Sequence, residues 1–403
     1  MVVKEATQEL NLTEEELLTG GYKITTTFNN RMTKAGAKAV NSALPKPKDR
    51  PKGLNIGMAS IEPATGAVRA IYGGPASQYG GPTTNNATLS RAQAGSTFKA
   101  FGLIAALEAG YSLKTEYQSS SPVTVGGKEF KNTEDGESNG FQDLIVGTKL
   151  SLNTIYVQLN EDVGAKKMID AARAAGIPDD VIIKNELGNV LGSADPTAMD
   201  MASAYGTFAS GGVRHTPYVI QTVTKLGTKA PVYDVKKDKE KALKGTKVFS
   251  EETVADLTYA LQQVTKPGGT GVKVSSELPF PVAGKTGTSS GSRSAWFVGY
   301  TPQLSTSVMM YQVQKIKLNG KSVFSNVEMD GFGKYPNSIF GGGYPLDVWI
   351  AYMREAMRNK PLVPFPDRAD SGDIKNSAPV VVPTETAPPT EAPDQTTRPP
   401  GPN

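Results

Sequence analysis

Ser96 and Lys99 stand three residues apart in a stretch, Gly95 to Leu107, whose Phe98, Phe101, Leu103, Ile104 and Leu107 predict a helix stopped by Gly110. At that spacing two side chains share one helix face with Cβ atoms about 5–6 Å apart, within reach for a lysine amine to take a serine proton. Ser96 also falls at the helix start, where unpaired N–H groups and the helix dipole favour developing negative charge. The base must be a neutral amine, so the Lys99 pKa has to fall from about 10.4 toward 7–8, a cost of roughly 3–4 kcal/mol at 1.36 kcal/mol per pKa unit. Burial beside Phe98, Ala100 and Phe101 and a second nearby cation would both act in that direction. A helix cap followed by a solvated lysine would show the same spacing.

Two further groupings offer polar chemistry. Ser151-Leu152-Asn153 lies between helical stretches predicted at Gln142–Leu150 and Asn153–Val163, where a hydroxyl and an amide aimed into a cleft could relay a proton and hold a substrate amide; either residue could instead cap the second helix. Gly284-Lys285-Thr286-Gly287-Thr288 opens a β-rich region. Gly287 removes a side chain where another backbone could lie alongside, and Lys285, Thr286 and Thr288 offer a cation and hydroxyls suited to a carboxylate; a bulge near a turn is the competing reading.

Composition narrows the chemistry. The chain of 403 residues has no cysteine and one histidine, His215, which removes thiol nucleophiles, disulfides and cysteine-based zinc sites and leaves one imidazole for any Ser-His-Asp triad. His215, at a predicted strand entry, has no role in lysine-activated chemistry. No metal or other cofactor is expected. With 43 Lys+Arg against 39 Asp+Glu, the +4 net charge gives no footprint for nucleic acid.

The elements that must position these residues form an α+β pattern. Thr13 to Leu18 reads as a short acidic helix, Tyr22 to Phe28 as a strand and Arg31 to Leu44 as a helix, ended by Pro45, Pro47 and Pro51; together residues 1–52 read as a linker arm. The body, residues 53–370, begins with a hairpin of Leu54–Ile61 and Val68–Tyr72, continues through a Gly- and Asn-rich loop from Gly73 to Thr88, and passes into helices that include Lys166–Ala175, Thr197–Ala209 and Glu251–Val264. Strands at Val282–Ser289, Ala295–Thr301 and Ser305–Val313 and a closing helix at Pro345–Arg358 complete it. Strands at both ends with helices between predict one antiparallel sheet assembled from the two ends and flanked by helices. Residues 371–403 read as a Pro-rich disordered tail, with eight prolines and no aromatic residue from Ser377 to Asn403. No run approaches the ~18 apolar residues of a membrane span, so the chain as given is expected to be soluble.

Taken as a set, Ser-x-x-Lys at 96–99, Ser-x-Asn at 151–153 and Lys-Thr-Gly-Thr at 285–288 resemble the motifs of penicillin-binding proteins and serine β-lactamases. The strings Gly20-Gly21-Tyr22-Lys23-Ile24, Leu191-Gly192-Ser193, Ala204-Tyr205-Gly206-Thr207-Phe208-Ala209 and Ala295-Trp296-Phe297-Val298-Gly299-Tyr300 are similar to class A, bifunctional penicillin-binding proteins over roughly residues 17–360. The resemblance implies a penicillin-binding-protein/serine β-lactamase-like fold and a D,D-transpeptidase that crosslinks peptidoglycan stem peptides and is acylated by β-lactams. It implies Ser96 as nucleophile, Lys99 as base, Ser151 as proton relay and Lys285 as a charge holder. Asn153 would bind the peptide amide, Thr286 and Thr288 beside Gly287 the terminal carboxylate, and the N–H groups of Ser96 and Thr288 the oxyanion.

The class also implies a glycosyltransferase domain and a membrane anchor in the full-length protein, the extracytoplasmic face of a bacterial membrane, and partners among cell-wall, divisome or elongasome proteins. Two positions depart from the pattern. Ala100 stands where a proline often follows the lysine, and Ser294 where an acid often precedes Ala-Trp-Phe. The alternatives are a serine β-lactamase, for which Glu186 with Asn189 would be the deacylating pair, and a non-catalytic penicillin-recognising sensor or scaffold.

Overall fold

The strands expected at the two ends of the body meet in one antiparallel sheet. A computed structural model describes residues 1–74, 84–133, 138–238, 244–318 and 320–376. In it β1 (Leu54–Ile61), β2 (Val68–Tyr72), β3 (Ala283–Thr288), β4 (Ser294–Thr301) and β5 (Leu304–Leu318) lie in the order β3-β4-β5-β1-β2. A sixth strand, β6 (Lys321–Val327), pairs with the far half of β5, from Gln312↔Val327 to Leu318↔Lys321. That hairpin was not expected from the sequence, because its residues alternate among polar and exposed types and carry no apolar run.

The central strands are apolar on both faces because both faces are covered. Along β4, Trp296, Val298 and Tyr300 enter one core and Ala295 and Phe297 the other, as the two-residue period of a strand requires. On the outer side α1 (Asn30–Ala43) packs against β2 and against a C-terminal helix, Tyr344–Ala356. On the inner side are α2 (Lys99–Glu108), α3 (Leu144–Lys149), α4 (Asn153–Val163), α5 (Ala198–Ala209) and α6 (Glu251–Val264); the outer helix Tyr344–Ala356 is α7. Side chains cap several of these helices: Asn29 for α1, Asp143 for α3, Thr197 for α5 and Ser250 for α6. Gln142 stands outside α3, contrary to expectation, because Phe141–Asp143 pairs with Glu116–Gln118 before Asp143 caps the helix.

Segments on both sides of the expected body lie against it. Tyr22–Thr26, assigned to a linker arm, pairs with Ile220–Lys225, and Met32, Ala35, Ala39 and Val40 of α1 are core residues. Residues 371–376, assigned to the tail, lie against the body. Ser371 donates to buried Asp256 of α6 at 2.6 Å, and the carbonyls of Asp373 and Asn376 accept from Ser112 and Glu116 at 2.8 and 2.9 Å. The proline-bearing segment from Ser377 to Asn403, expected to be disordered, lies outside the described residues.

Candidate active site

Ser96 sits in a tight 3₁₀ turn, Gly95–Phe98, that runs directly into α2. Thr97 Oγ1 donates to the Ala94 carbonyl at 2.8 Å and Tyr205 OH to the Thr97 carbonyl at 2.7 Å, which pins the turn from both sides. Its backbone lies against the end of β3. A Cβ on Gly287 would come within 2.5 Å of the Ala94 carbonyl oxygen, so the close approach foreseen at Gly287 is present. A Cβ on Gly95, at φ +54°, would meet the Thr288 carbonyl oxygen at 2.7 Å.

Lys99 and Lys285 are both fully buried and converge on the α3–α4 junction. Lys99 Nζ donates to the Ser151 carbonyl at 2.6 Å and to Asn153 Oδ1 at 2.7 Å, with Ser151 Oγ at 3.3 Å. Lys285 Nζ donates to Ser151 Oγ at 2.7 Å. Ser151 adopts φ +60°, a left-handed conformation uncommon for a residue with a Cβ, and this turns both its carbonyl and its hydroxyl toward the lysines. Neither expected capping role is filled, since α4 has no side-chain cap. Asn153 instead bridges Lys99 and the Lys131 carbonyl, to which its Nδ2 donates at 2.8 Å.

The hydrogen bonds of Lys99 run to Ser151 and Asn153 rather than to Ser96, the partner that i,i+3 spacing suggested. The reason is tertiary: the α3–α4 junction brings the Ser151 carbonyl and Asn153 Oδ1 onto the buried amine. A neutral amine has two N–H donors and one lone pair, so these two bonds use the donors and leave the lone pair for a proton. Burial holds the Lys99 pKa well below its ordinary value, and the neighbouring Lys285 charge lowers it further. Burial alone brings Lys285 down to about 7.

Strand alternation separates Lys285 from the two threonines. Lys285 and Gly287 face the helices, while Thr286 and Thr288 face the other way. Thr286 Oγ1 lies 2.7 Å from Thr270 Oγ1, and Thr288 Oγ1 accepts from Gly341 N at 3.1 Å. Because Ser289 N donates to the Ser294 carbonyl at 3.1 Å, alternation along this edge strand directs the Thr288 N–H away from β4 and toward Gly95. The Thr288 nitrogen would lie 2.9 Å from a Cβ on Gly95, beside the first unpaired N–H groups of the Ser96 turn.

Of these residues Ser96, Asn153 and Thr288 line a cleft of about 1350 Å³, with Arg293, Glu328 and Tyr335 on its walls; Lys99, Ser151, Lys285, Thr286 and Gly287 lie behind that lining. Ser294 does not face this space. It is buried, and with Trp296 Nε1 it holds the Gln93 carbonyl, at 2.5 and 2.7 Å. Glu186 is exposed and absent from the lining, and Asn189 is a buried tie to the Ala165 and Lys184 carbonyls, so this pair does not form a deacylating site. His215 packs beside Gly66 and Gly245, outside the cleft lining. Thr270, Gly341 and Tyr335 were not foreseen. The run Gly341-Gly342-Gly343 ahead of Tyr344-Pro345 was the available signal of a close backbone approach.

A family model described as penicillin binding protein transpeptidase domain matches residues 57–325. The chain is 30% identical over 416 residues to penicillin-binding protein 1A of Mycolicibacterium smegmatis, covering 97% of this chain and 49% of that protein. It is 32% identical over 407 residues to penicillin-binding protein 1A of Mycobacterium tuberculosis, covering 92% of this chain and 44% of that protein. The chain therefore spans about half the length of the curated relatives it matches. A solved structure of the PonA1 protein from Mycobacterium tuberculosis in complex with penicillin V superposes with a TM-score of 0.77 at 29% identity, covering 95% of this chain and 97% of that one.

Proposed function

The chain belongs to the penicillin-binding protein transpeptidase family, and from that premise we propose that it is a serine D,D-transpeptidase that crosslinks peptidoglycan stem peptides and is acylated by β-lactams. The observation that carries this reading is the pair of fully buried lysines that converge on Ser151, next to the Ser96 turn. Lysine burial at that cost has a function when the amine must act as a base.

In this reading the Ser96 hydroxyl attacks the carbonyl carbon between the last two D-alanines, and its proton passes to the Lys99 lone pair. The Ser96 and Thr288 N–H groups receive the oxyanion, each donor stabilising it by about 3–4 kcal/mol. The C–N bond then breaks as the departing amine takes a proton through Ser151, whose hydroxyl Lys285 polarises. Thr286 and Thr288 hold the terminal carboxylate and Asn153 the peptide amide. An amine of a second strand attacks the resulting ester, loses a proton and restores Ser96; water in its place gives a carboxypeptidase side reaction. A serine β-lactamase is not favoured, because Glu186 is exposed and absent from the cleft lining.

Among the described residues no helix is long and apolar enough to cross a membrane. In a protein of the relatives' length, we place this domain on the extracytoplasmic face, where its substrate lies. Crosslinked product from lipid-linked pentapeptide strands, formed by the wild-type protein and lost in Ser96→Ala, tests the proposal; acylation by penicillin without crosslinking would make the protein a sensor or scaffold.

A further inference from the structure

The loop that touches Thr288 has one side chain with which to hold itself, that of Phe340, which packs edge-to-face on Tyr335 at 5.5 Å; the three glycines after it have none. Gly341 donates its N–H to Thr288 Oγ1 at 3.1 Å, and a Cβ on it would lie 2.4 Å from the Trp296 carbonyl oxygen and 2.7 Å from Gly287 N. Three consecutive glycines have large conformational freedom, so this contact needs an external restraint. Lys273 supplies one, donating through Nζ to the Gly342 carbonyl at 3.2 Å. Asp347, in the first turn of α7, fixes Lys273 at 2.9 Å and is itself 9% exposed at its side chain. The same carboxylate accepts from Lys334 Nζ at 2.9 Å and from Tyr335 OH at 2.6 Å, and Lys273 also bonds the Tyr335 hydroxyl. The Asp347 N–H closes the loop on the Gly343 carbonyl at 3.0 Å.

We infer that the Lys273–Asp347 pair is a positioning device for substrate carboxylate recognition, acting through the Phe340–Gly343 loop on the Thr288 hydroxyl. A hydroxyl has one donor and two acceptor sites. With Gly341 N on an acceptor site, the O–H of Thr288 is left to donate into the cleft that Thr288 lines. The pair contributes no atom to the reaction. It sets which way one hydroxyl points.

The inference rests on the reading of Thr286 and Thr288 as carboxylate ligands, and penicillin V with its methyl ester separates the two. Wild-type protein should acylate faster with the free acid than with the ester; equal rates would refute the carboxylate reading itself. Asp347→Asn should slow acylation by the free acid about tenfold or more and change the ester rate less than twofold. Lys273→Met leaves the Asp347–Lys334 contact in place and should show the same selective loss, which separates the loop restraint from any effect of a freed Lys334. Equal losses on acid and ester in both variants, no loss in either, or a selective loss confined to Asp347→Asn would each overturn the inference.

Discussion

Lys285 Nζ donates to Ser151 Oγ at 2.7 Å, joining an edge strand to a helix junction 134 positions away in sequence. The bond polarises a hydroxyl that stands between the two buried lysines. Replacing Ser151 with alanine leaves Lys285 with the Thr286 carbonyl, at 3.2 Å, and removes the proposed path of the leaving-group proton. Acylation by penicillin V should fall roughly 10²–10⁴-fold, the usual size of a general acid–base contribution. Stopped-flow or quenched acylation measurements check this, and a loss under threefold would remove Ser151 from the relay.

Lysine burial has a pH signature. Acylation should fail on the acid side as Lys99 gains a proton. Lys285→Met removes the charge that lowers the Lys99 pKa, so the acid limb of the pH–rate profile should move to higher pH while the maximum rate drops. An acid limb that stays in place would show that Lys285 acts on Ser151 alone.

The same group predicts a stability change. Lys285 has a folded pKa of about 7 against roughly 10.4 in an unfolded chain, so between those values the unfolded state binds more protons and stability rises with pH. The penalty is fully present below about 7 and absent above about 10.5. Denaturant midpoints at pH 7 and 9.5 should therefore diverge more for the wild-type protein than for Lys285→Met. The difference between the two proteins reports this lysine together with its coupling to Lys99, while groups remote from both cancel.

Gly192 is the strictest steric position at the site. Its φ is +82° and a Cβ would lie 1.9 Å from the Gly95 carbonyl oxygen, with Gly95 N already bonded to the Gly192 carbonyl at 3.0 Å. Gly192→Ala should destabilise the fold by about 1–3 kcal/mol and displace the Ser96 turn. Thermal unfolding and acylation rate should both fall; an active variant of unchanged stability would contradict the close approach described here.

Asp256 tests where the body ends. We propose that the folded body reaches Asn376 and takes in the N-terminal segment, where Ala6 and Leu17 join the main core and the Glu5 carboxylate accepts from Val219 N and Ile220 N. Asp256 is fully buried and accepts from Asp370 N, Ser371 N and Ser371 Oγ, so Asp256→Asn should cost several kcal/mol and expose residues 368–376 to protease. Removing residues 377–403 should leave the melting temperature unchanged, whereas truncation before Arg368 should lower it.

The motif residues were legible because each carries its chemistry in its type. Ser96, Ser151 and Lys285 are 55 and 134 positions apart, yet their order on turn, junction and strand matched the family's pattern. The apolar runs of β1, β4 and β5 were legible because both faces of the sheet are buried. What escaped were contacts made by backbone. Gly341 reaches Thr288 through an N–H that every non-proline residue has, and Asp347 belongs to no motif in the sequence. The partner choice of Lys99 was equally hidden, since i,i+3 spacing pairs it with Ser96 and only the tertiary fold supplies the Ser151 carbonyl and Asn153 Oδ1.

The central claim is that Ser96 is the acylated residue and that its ester is long-lived. Incubation with penicillin V followed by peptide mass mapping tests it most directly. One penicillin should be found on the peptide containing Ser96, persisting for many minutes after free antibiotic is removed and missing from Ser96→Ala. A modification at another residue, or rapid hydrolysis that regenerates free protein, would contradict the account.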